Sequence, residues 1–415
     1  MSNNSILVIG GGFSGITAAL EAAEVGHEVF IVEQEPYLGG RVSQLKHYFP
    51  KLCPPSCGLE INFQRIKKNP KVKFFTMARV TQVTGGPGDY QAKIKISPRF
   101  VTSACTGCDK CVEVCPVERD SEYDFGTGKS KAIYRPNPMC FPMRYVIDEQ
   151  ICEGAACAKC VEACDYSAID LEEKEREFTL NAGSIIVATG WKPYDVSKLV
   201  NLGAGQLPNV VTNMQFERLA APSGPTDGKI LRPSDGKEPK RIAFVQCAGS
   251  RDQNHLDYCS YICCMASLKH CTYLREQYPD SEMVIYYIDL RAPGRYENFL
   301  KKIEEDDKVL MVKGKVARIT EDASSGDLMV TAEDIYGGVK KEELFDMVVL
   351  ATGMQPSISI DGLAVDVPLD ESGFIIGGEE KGIFAAGCAK MPLDVMTSAE
   401  TATGAALNAI KTVRR

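Results

Sequence analysis

Seventeen cysteines stand in this 415-residue sequence, and eight of them form two runs whose spacing suits iron-sulfur chemistry. The first reads Cys105-x2-Cys108-x2-Cys111-x3-Cys115-Pro116. The second, Cys152-x4-Cys157-x2-Cys160-x3-Cys164, widens the first gap by two residues and holds Glu153-Gly-Ala-Ala156 inside it. In paired runs of this kind three thiolates of each hold one four-iron cluster, and the fourth crosses to the other. The spacing therefore gives Cys105, Cys108, Cys111 and Cys164 to one cluster, and Cys152, Cys157, Cys160 and Cys115 to a second. Paired C-x2-C motifs also make zinc sites, yet eight cysteines at two such spacings favour iron. The wide gap can shift a potential but removes no ligand.

Four more thiols, Cys247, Cys259, Cys263 and Cys264, gather in Cys247-Ala-Gly-Ser-Arg251 and Tyr258-Cys-Ser-Tyr-Ile-Cys-Cys-Met265. On spacing alone they read equally well as ligands of a third cluster or as buried structural thiols. Cys140, within Pro138-Met-Cys-Phe-Pro142, and Cys271 read as small packed hydrophobes. Cys53-Pro-Pro-Ser-Cys57 has neither the spacing nor the flanks of a C-x-x-C dithiol, and reads as a loop near the cofactor. The four histidines, His27, His47, His255 and His270, show no paired metal spacing.

A second chemistry is written at the N-terminus. A short apolar strand, Ile6-Leu-Val-Ile9, runs into Gly10-Gly-Gly12-Phe-Ser-Gly15 and then a helical stretch, Ile16 to Val25. In that order G-x-G-x-x-G is a dinucleotide site. Gly10 permits the turn, Gly12 lets backbone approach a pyrophosphate, and Gly15 packs helix on strand, so that the helix start at Phe13 and Ser14 faces the anion. A second strand, His27 to Val32, ends at Glu33, whose carboxylate suits ribose hydroxyls and disfavours a 2′-phosphate. Gln34 and Val80 complete the candidate contacts on this side.

These motifs need elements to position them. A hydrophobic share of 44% and a charged share of 25% describe an ordinary folded chain, long enough for two or three domains. The net charge of -8 argues against nucleic acid, which asks for a concentrated basic surface. No run of 18 or more apolar residues and no signal-peptide pattern is present, so the expectation is a cytoplasmic chain that meets a membrane only through partners. In that compartment the cysteines serve metal or redox chemistry in preference to disulfides.

Gly39-Gly40-Arg41 resembles the segment that FAD enzymes of the two-dinucleotide-domain flavoprotein class place over the pyrophosphate. Ile185-Ile-Val-Ala188-Thr189-Gly190 and Val348-Val-Leu-Ala-Thr-Gly353 resemble the points where such chains cross between domains. Gly382-Ile-Phe-Ala-Ala-Gly387 resembles the second FAD segment of the class, with Cys388 where an aspartate normally touches the ribityl chain. A helix starting near Thr397 or Ser398 would then aim its N-terminus at the isoalloxazine ring. Arg241 to Gln246 has the form of the first strand of a second nucleotide-binding domain, but Cys247-Ala-Gly-Ser-Arg251 replaces its glycine motif, so a nicotinamide site is not expected.

The pattern Val245-Gln-Cys-Ala-Gly-Ser-Arg251, Tyr258-Cys-x3-Cys-Cys-Met265 and Lys269 resembles the flavoprotein family of heterodisulfide reductase A-type subunits. Gly39-Gly-Arg-Val-Ser-Gln44, Cys53, Cys57 and Ala386-Gly-Cys388 carry the likeness over nearly the whole chain. In length it is nearest the branch found in the quinone-interacting membrane-bound oxidoreductase complex of sulfate reducers. The resemblance implies an α/β fold: a Rossmann-like FAD domain (1–100, 170–206 and 341–415), an inserted bacterial-type ferredoxin domain with two four-iron clusters (101–169), and a degenerate second nucleotide-binding-like domain (207–340). It implies FAD and three clusters, the third non-standard and held by Cys247, Cys259, Cys263 and Cys264, with Lys269 close to the flavin.

By the same resemblance the chain is an electron-transfer component of a multisubunit complex. Its partners would be a haem-bearing membrane subunit plus a second flavin and iron-sulfur subunit, with adenylylsulfate reductase as soluble acceptor. Flavin-based bifurcation is the related alternative. An NAD(P)H oxidoreductase, and a scaffold holding no redox centre, are the competing readings.

Overall fold

A computed structural model describes residues 3–413. The chain divides into two compact units, one of residues 1–191 and 356–415, the other of residues 192–355. Each crossing falls within two residues of an Ala-Thr-Gly turn, after Gly190 and after Gly353.

The first unit is built on a five-stranded parallel sheet ordered Ile383–Ala385, Ser184–Val187, Ser5–Ile9, Glu28–Val32, Val72–Phe75. Beyond Ser5 the central strand is apolar, because both of its faces are covered. Ile6 and Val8 join one core; Leu7 and Ile9 join the other. The helix Phe13–Glu24 packs its buried Ile16, Ala19, Leu20 and Ala23 on the sheet and stops at Gly26, whose φ of +106° ends the helix without side-chain strain. Alanines on the C-terminal helix Val395–Val413 meet alanines of this first helix, and small side chains permit that closeness.

The cysteine-rich insert leaves and re-enters through neighbouring strands. Arg176 pairs with Ile96 in the antiparallel sheet of Ala78–Gly86, Asp89–Ile96 and Arg176–Ala182. Paired strands hold the ends of the insert together, and the entropy of closing it grows only slowly with its length. Val101 bridges Ile169 one step further out. Within the insert the two runs form matching one-turn helices, Lys110–Glu113 and Lys159–Glu162, both reading Lys-Cys-Val-Glu and both preceded by a left-handed residue, Asp109 and Ala158.

The second unit carries its own five-stranded parallel sheet, ordered Val210–Thr212, Met347–Thr352, Arg241–Ala248, Glu282–Tyr287, Val309–Lys313. The helix Cys263–Gln277 crosses between its third and fourth strands. This unit is wider than the expected 207–340. Tyr194, Leu199, Leu202 and Ala204 lie in its core at one end, and Phe345, Val348 and Leu350 at the other, because these apolar residues continue its sheet and its cover.

Candidate redox centre

The nucleotide turn is shaped by backbone crowding. Gly10 holds a φ of +105°, and a Cβ there would stand 2.3 Å from the Ala188 carbonyl oxygen. At Gly15 it would stand 1.9 Å from the Gly10 carbonyl oxygen. Gly12 differs. The nearest atom to its Cβ position is Gly40 Cα at 3.7 Å, so open space lies before it, lined by the Gly39-Gly40 backbone that bridges Gly12 to Gly39. The helix Phe13–Glu24 has no side-chain cap and no acidic residue in its first turn, which leaves donors at Phe13 and Ser14 aimed at that space.

Glu33 ends its strand buried at 7% exposure, accepting the N–H of Gly11 on Oε2 at 2.6 Å and that of Glu35 on Oε1 at 2.8 Å. Burial pushes its carboxyl up to about 7. Arg41 donates to the Trp191 carbonyl at 3.3 Å and to Gln44 Oε1 at 3.1 Å. Thr189 Oγ1 is buried with no hydrogen-bond partner among the described residues. An orphaned hydroxyl, an uncapped helix start and an open glycine cradle in one unit are what a bound dinucleotide would complete. Gln34 and Val80 are half-buried, Val80 at a bulge of its strand and packed against the core.

The C-terminal segment joins the same cradle. A Cβ on Gly387 would fall 2.1 Å from Ser14 Oγ, and the Gly387 N–H donates to Thr401 Oγ1 at 3.0 Å. Two expectations change here. The Cys388 thiol turns inward, donating to the Leu393 carbonyl at 3.6 Å, and burial pushes it up to about 11, so it is a packed, protonated side chain. The following helix starts at Val395, two residues before Thr397, because Asp394 Oδ1 takes the Thr397 N–H at 2.7 Å and caps the helix.

In the insert, Cys115, Cys152, Cys157 and Cys160 line one pocket that is partly open to solvent. This is the set, crossed cysteine included, that the spacing assigns to one cluster. Cys105 and Cys108 lie within electrostatic reach of Cys111, and burial first, then these neighbours, pushes its thiol up to about 12. Cys164 accepts the Ala168 N–H at 3.3 Å and Cys152 the Gly154 N–H at 3.4 Å. Among the described residues no three His, Cys, Asp or Glu side chains converge on a point as a single ion requires. A cubane is wider than one ion, and its thiolates surround a volume. Cys140 is buried against Tyr37 and Tyr123, as a packed residue should be.

The insert is fastened to the flavin-side segment. The Leu38 N–H donates to the Phe141 carbonyl at 2.7 Å, the Tyr123 hydroxyl to the Ser43 carbonyl at 2.5 Å, and Gln44 Nε2 to the Tyr123 carbonyl at 3.1 Å. Sequence spacing carries no sign of these contacts.

In the second unit the strand Arg241–Ala248 runs through Cys247, which holds a φ of +56° where a nucleotide glycine would stand. Cys247, Cys259, Cys263 and Cys264 lie in mutual electrostatic reach; burial first, then these neighbours, raises Cys263 well above the usual thiol range. Cys259 accepts the Tyr261 N–H at 3.3 Å. Beside them the buried amide of Gln246 has no partner among the described residues. Four gathered thiols and an orphaned amide fit a cluster better than they fit a closed core. Cys271 is buried, as expected.

Lys269 sits one and a half turns into the helix Cys263–Gln277, at 4% exposure. Its Nζ lies 2.8 Å from Glu217 Oε1, and His270 Nε2 lies 2.7 Å from the same oxygen. Burial alone opposes the charge on Glu217, but Lys269 and His270 outweigh it and hold the carboxyl well below the usual range. Glu217 is a residue that sequence reading did not single out; its position on the short helix Asn213–Ala220 gives no spacing signal toward Lys269.

Residues 5–55 match the family model of FAD dependent oxidoreductases, and residues 98–118 that of 4Fe-4S binding domains. The chain is 41% identical to an iron-sulfur A-type subunit of the CoB--CoM heterodisulfide reductase of Methanopyrus kandleri, over 97% of this chain and 63% of that one. It is 37% identical to the A-type subunit of the H(2):CoB-CoM heterodisulfide,ferredoxin reductase of Methanothermobacter marburgensis, over 98% of this chain and 63% of the relative. It thus spans a little under two-thirds of the length of these relatives. Among solved structures it is similar in fold to the thioredoxin reductases of T. acidophilum and Lactococcus lactis, each at a TM-score of 0.55, with 13% and 14% identity and 99% of this chain covered. These cover 100% and 99% of the thioredoxin reductase chains.

Proposed function

Because the chain belongs to the flavoprotein family of heterodisulfide reductase A-type subunits, we propose that it is an oxidoreductase component that moves electrons between FAD and iron-sulfur clusters inside a larger complex. The observation that carries this is the pocket lined by Cys115, Cys152, Cys157 and Cys160, lying in the same compact unit as the glycine cradle.

FAD exchanges electrons in pairs or singly, and the clusters pass them one at a time. The chain's own residues supply the rest. Gly12, Gly40 and the start of the first helix receive the pyrophosphate, Glu33 holds the ribose, and Thr189 gains a partner for its hydroxyl. The insert's eight cysteines hold two clusters; Cys247, Cys259, Cys263 and Cys264 hold a third. The resemblance would give Lys269 the part of a cation for an anionic flavin; within its own unit its ammonium stands 2.8 Å from Glu217 Oε1. No residue needs to act as general acid, base or nucleophile.

The resemblance further supports a quinone-linked arrangement. A second flavin and iron-sulfur subunit together with a haem-bearing membrane subunit would be its neighbours, and adenylylsulfate reductase the soluble partner in dissimilatory sulfate reduction. No helix among the described residues is long and apolar enough to cross a membrane, so the haem subunit would provide the anchor. A second reading, an electron-bifurcating role, is favoured by the relative named as a heterodisulfide,ferredoxin reductase and by the buried Lys269–Glu217 pair.

Anaerobic redox titration of the full chain, followed by flavin absorption and cluster EPR, tests the shared core of both. Flavin and clusters should exchange electrons within one preparation. A chain whose flavin is reduced while no cluster signal develops would refute it.

A further inference from the structure

Arg99 stands where the chain leaves the flavin-side sheet for the insert, and it is 7% exposed. Both terminal nitrogens donate to the Pro36 carbonyl, at 2.9 and 2.8 Å. Nε donates to the Tyr145 carbonyl at 2.9 Å, Nη2 to the Arg144 carbonyl at 3.1 Å, and Nη1 to Thr76 Oγ1 at 3.3 Å. Every acceptor is neutral. The nearby carboxylate of Glu173 takes the backbone N–H groups of Arg99 and Phe100, at 3.0 and 2.7 Å, and among the described residues no carboxylate meets the guanidinium.

A buried cation without a counter-ion is costly, because water no longer solvates its charge. Some negative charge should therefore lie close by when the protein is complete. Phe100, the next residue, and Tyr145, whose carbonyl the guanidinium holds, pack in the same apolar cluster as Cys105 and Cys111. Cys105 and Cys140 lie within electrostatic reach of the guanidinium; burial, reinforced by Arg144, pushes Arg99 down to about 10. Cys140 is packed and protonated, since burial raises it, which leaves Cys105 as the thiol that metal would ionise.

We propose that Arg99 is the fixed counter-charge of the cluster held by Cys105, Cys108, Cys111 and Cys164, raising that cluster's reduction potential while it ties the insert to Pro36 and Thr76. This rests on the reading of those thiols as cluster ligands. On reduction the cluster accepts one electron from the neighbouring redox group, forms and breaks no bond, and gains one negative charge. A fixed cation stabilises the reduced form more than the oxidised one, and burial keeps salt from screening it. Arg99 is a positioning and tuning residue, since it acts through Cys105 and its shell.

The test is an EPR-monitored redox titration of anaerobically purified full chain, as wild type, Arg99→Met, Arg99→Lys and Thr76→Asp. Arg99→Met removes the charge. Thr76→Asp keeps each guanidinium donor engaged and neutralises the charge with a carboxylate. Both should make one of the two ferredoxin-type signals about tenfold harder to reduce, a downward shift of ~59 mV for a one-electron couple. Arg99→Lys keeps the charge and should stay near wild type, although it loses thermal stability as Arg99→Met does.

Unchanged potentials in Arg99→Met and Thr76→Asp would overturn the proposal, and so would an Arg99→Lys shift as large as that of Arg99→Met, which marks a structural staple only. If Arg99→Met fails to load iron, Thr76→Asp decides alone. Wild type without cluster signals would instead sink the ligand reading beneath it.

Discussion

The N–H of Gly11 donates to Glu33 Oε2 at 2.6 Å, which ties the nucleotide turn to the end of the neighbouring strand. Buried there, the carboxyl keeps its proton up to about 7, against an ordinary value of 4.5. Between those values the unfolded chain has lost the proton that the folded chain retains. The flavin-free chain therefore loses stability as pH rises through that window, by at most about 3 kcal/mol, and recovers it as pH falls. Ribose hydroxyls donate to the ionised form, so FAD affinity should rise from pH 5 to pH 8. Glu33→Gln should flatten both trends in denaturant unfolding and flavin titration; equal slopes in variant and wild type would dismiss this role for Glu33.

Gly12 and Gly15 should separate cofactor binding from folding. Open space lies before Gly12, whereas a Cβ on Gly15 would press 1.9 Å from the Gly10 carbonyl oxygen. Gly12→Ala should keep the melting temperature of the flavin-free chain and lose bound FAD. Gly15→Ala should lower that temperature outright, with overpacking of this kind costing about 1–3 kcal/mol or more. Full FAD retention in Gly12→Ala would mean the pyrophosphate lies elsewhere.

The crossed thiol is testable by which signal disappears. Cys115→Ser and Cys160→Ser should abolish the same cluster EPR signal, and the double variant should lose nothing more. Cys164→Ser should abolish the other. If Cys164→Ser and Cys160→Ser remove the same signal, and Cys115→Ser the other, the crossing is wrong.

Glu217 carries a buried charge pair with Lys269, present above the ordinary carboxyl range and lost as pH falls below it. Glu217→Gln leaves the ammonium without its carboxylate and should cost about 3–5 kcal/mol in urea unfolding. Adding Lys269→Met should restore much of that loss, because no uncompensated charge then remains. Additive losses would show that the pair contributes no coupling.

Much of this architecture could be read from local pattern. The glycine turn, both cysteine runs and the missing nicotinamide motif at Cys247 depend on residues close in sequence, where spacing dictates geometry. What could not be read depends on which way side chains turn and on distant partners. Asp394 starts its helix early because a carboxylate happens to reach Thr397, and Cys388 turns inward because Leu393 offers an acceptor. The second unit extends beyond 207–340 because residues such as Tyr194 and Val348 complete a core that no periodicity marks. Arg99 and Glu217 follow the same rule: each lies dozens of residues from the groups it holds.

The most direct test is chemical analysis of chain purified without oxygen, for flavin, iron, sulfide and zinc. The account predicts FAD together with iron and sulfide in the proportion of three four-iron clusters to one flavin, and a flavin that NADH and NADPH leave oxidised. Zinc or no metal at the cysteines, or a preparation free of flavin after reconstitution, would contradict it.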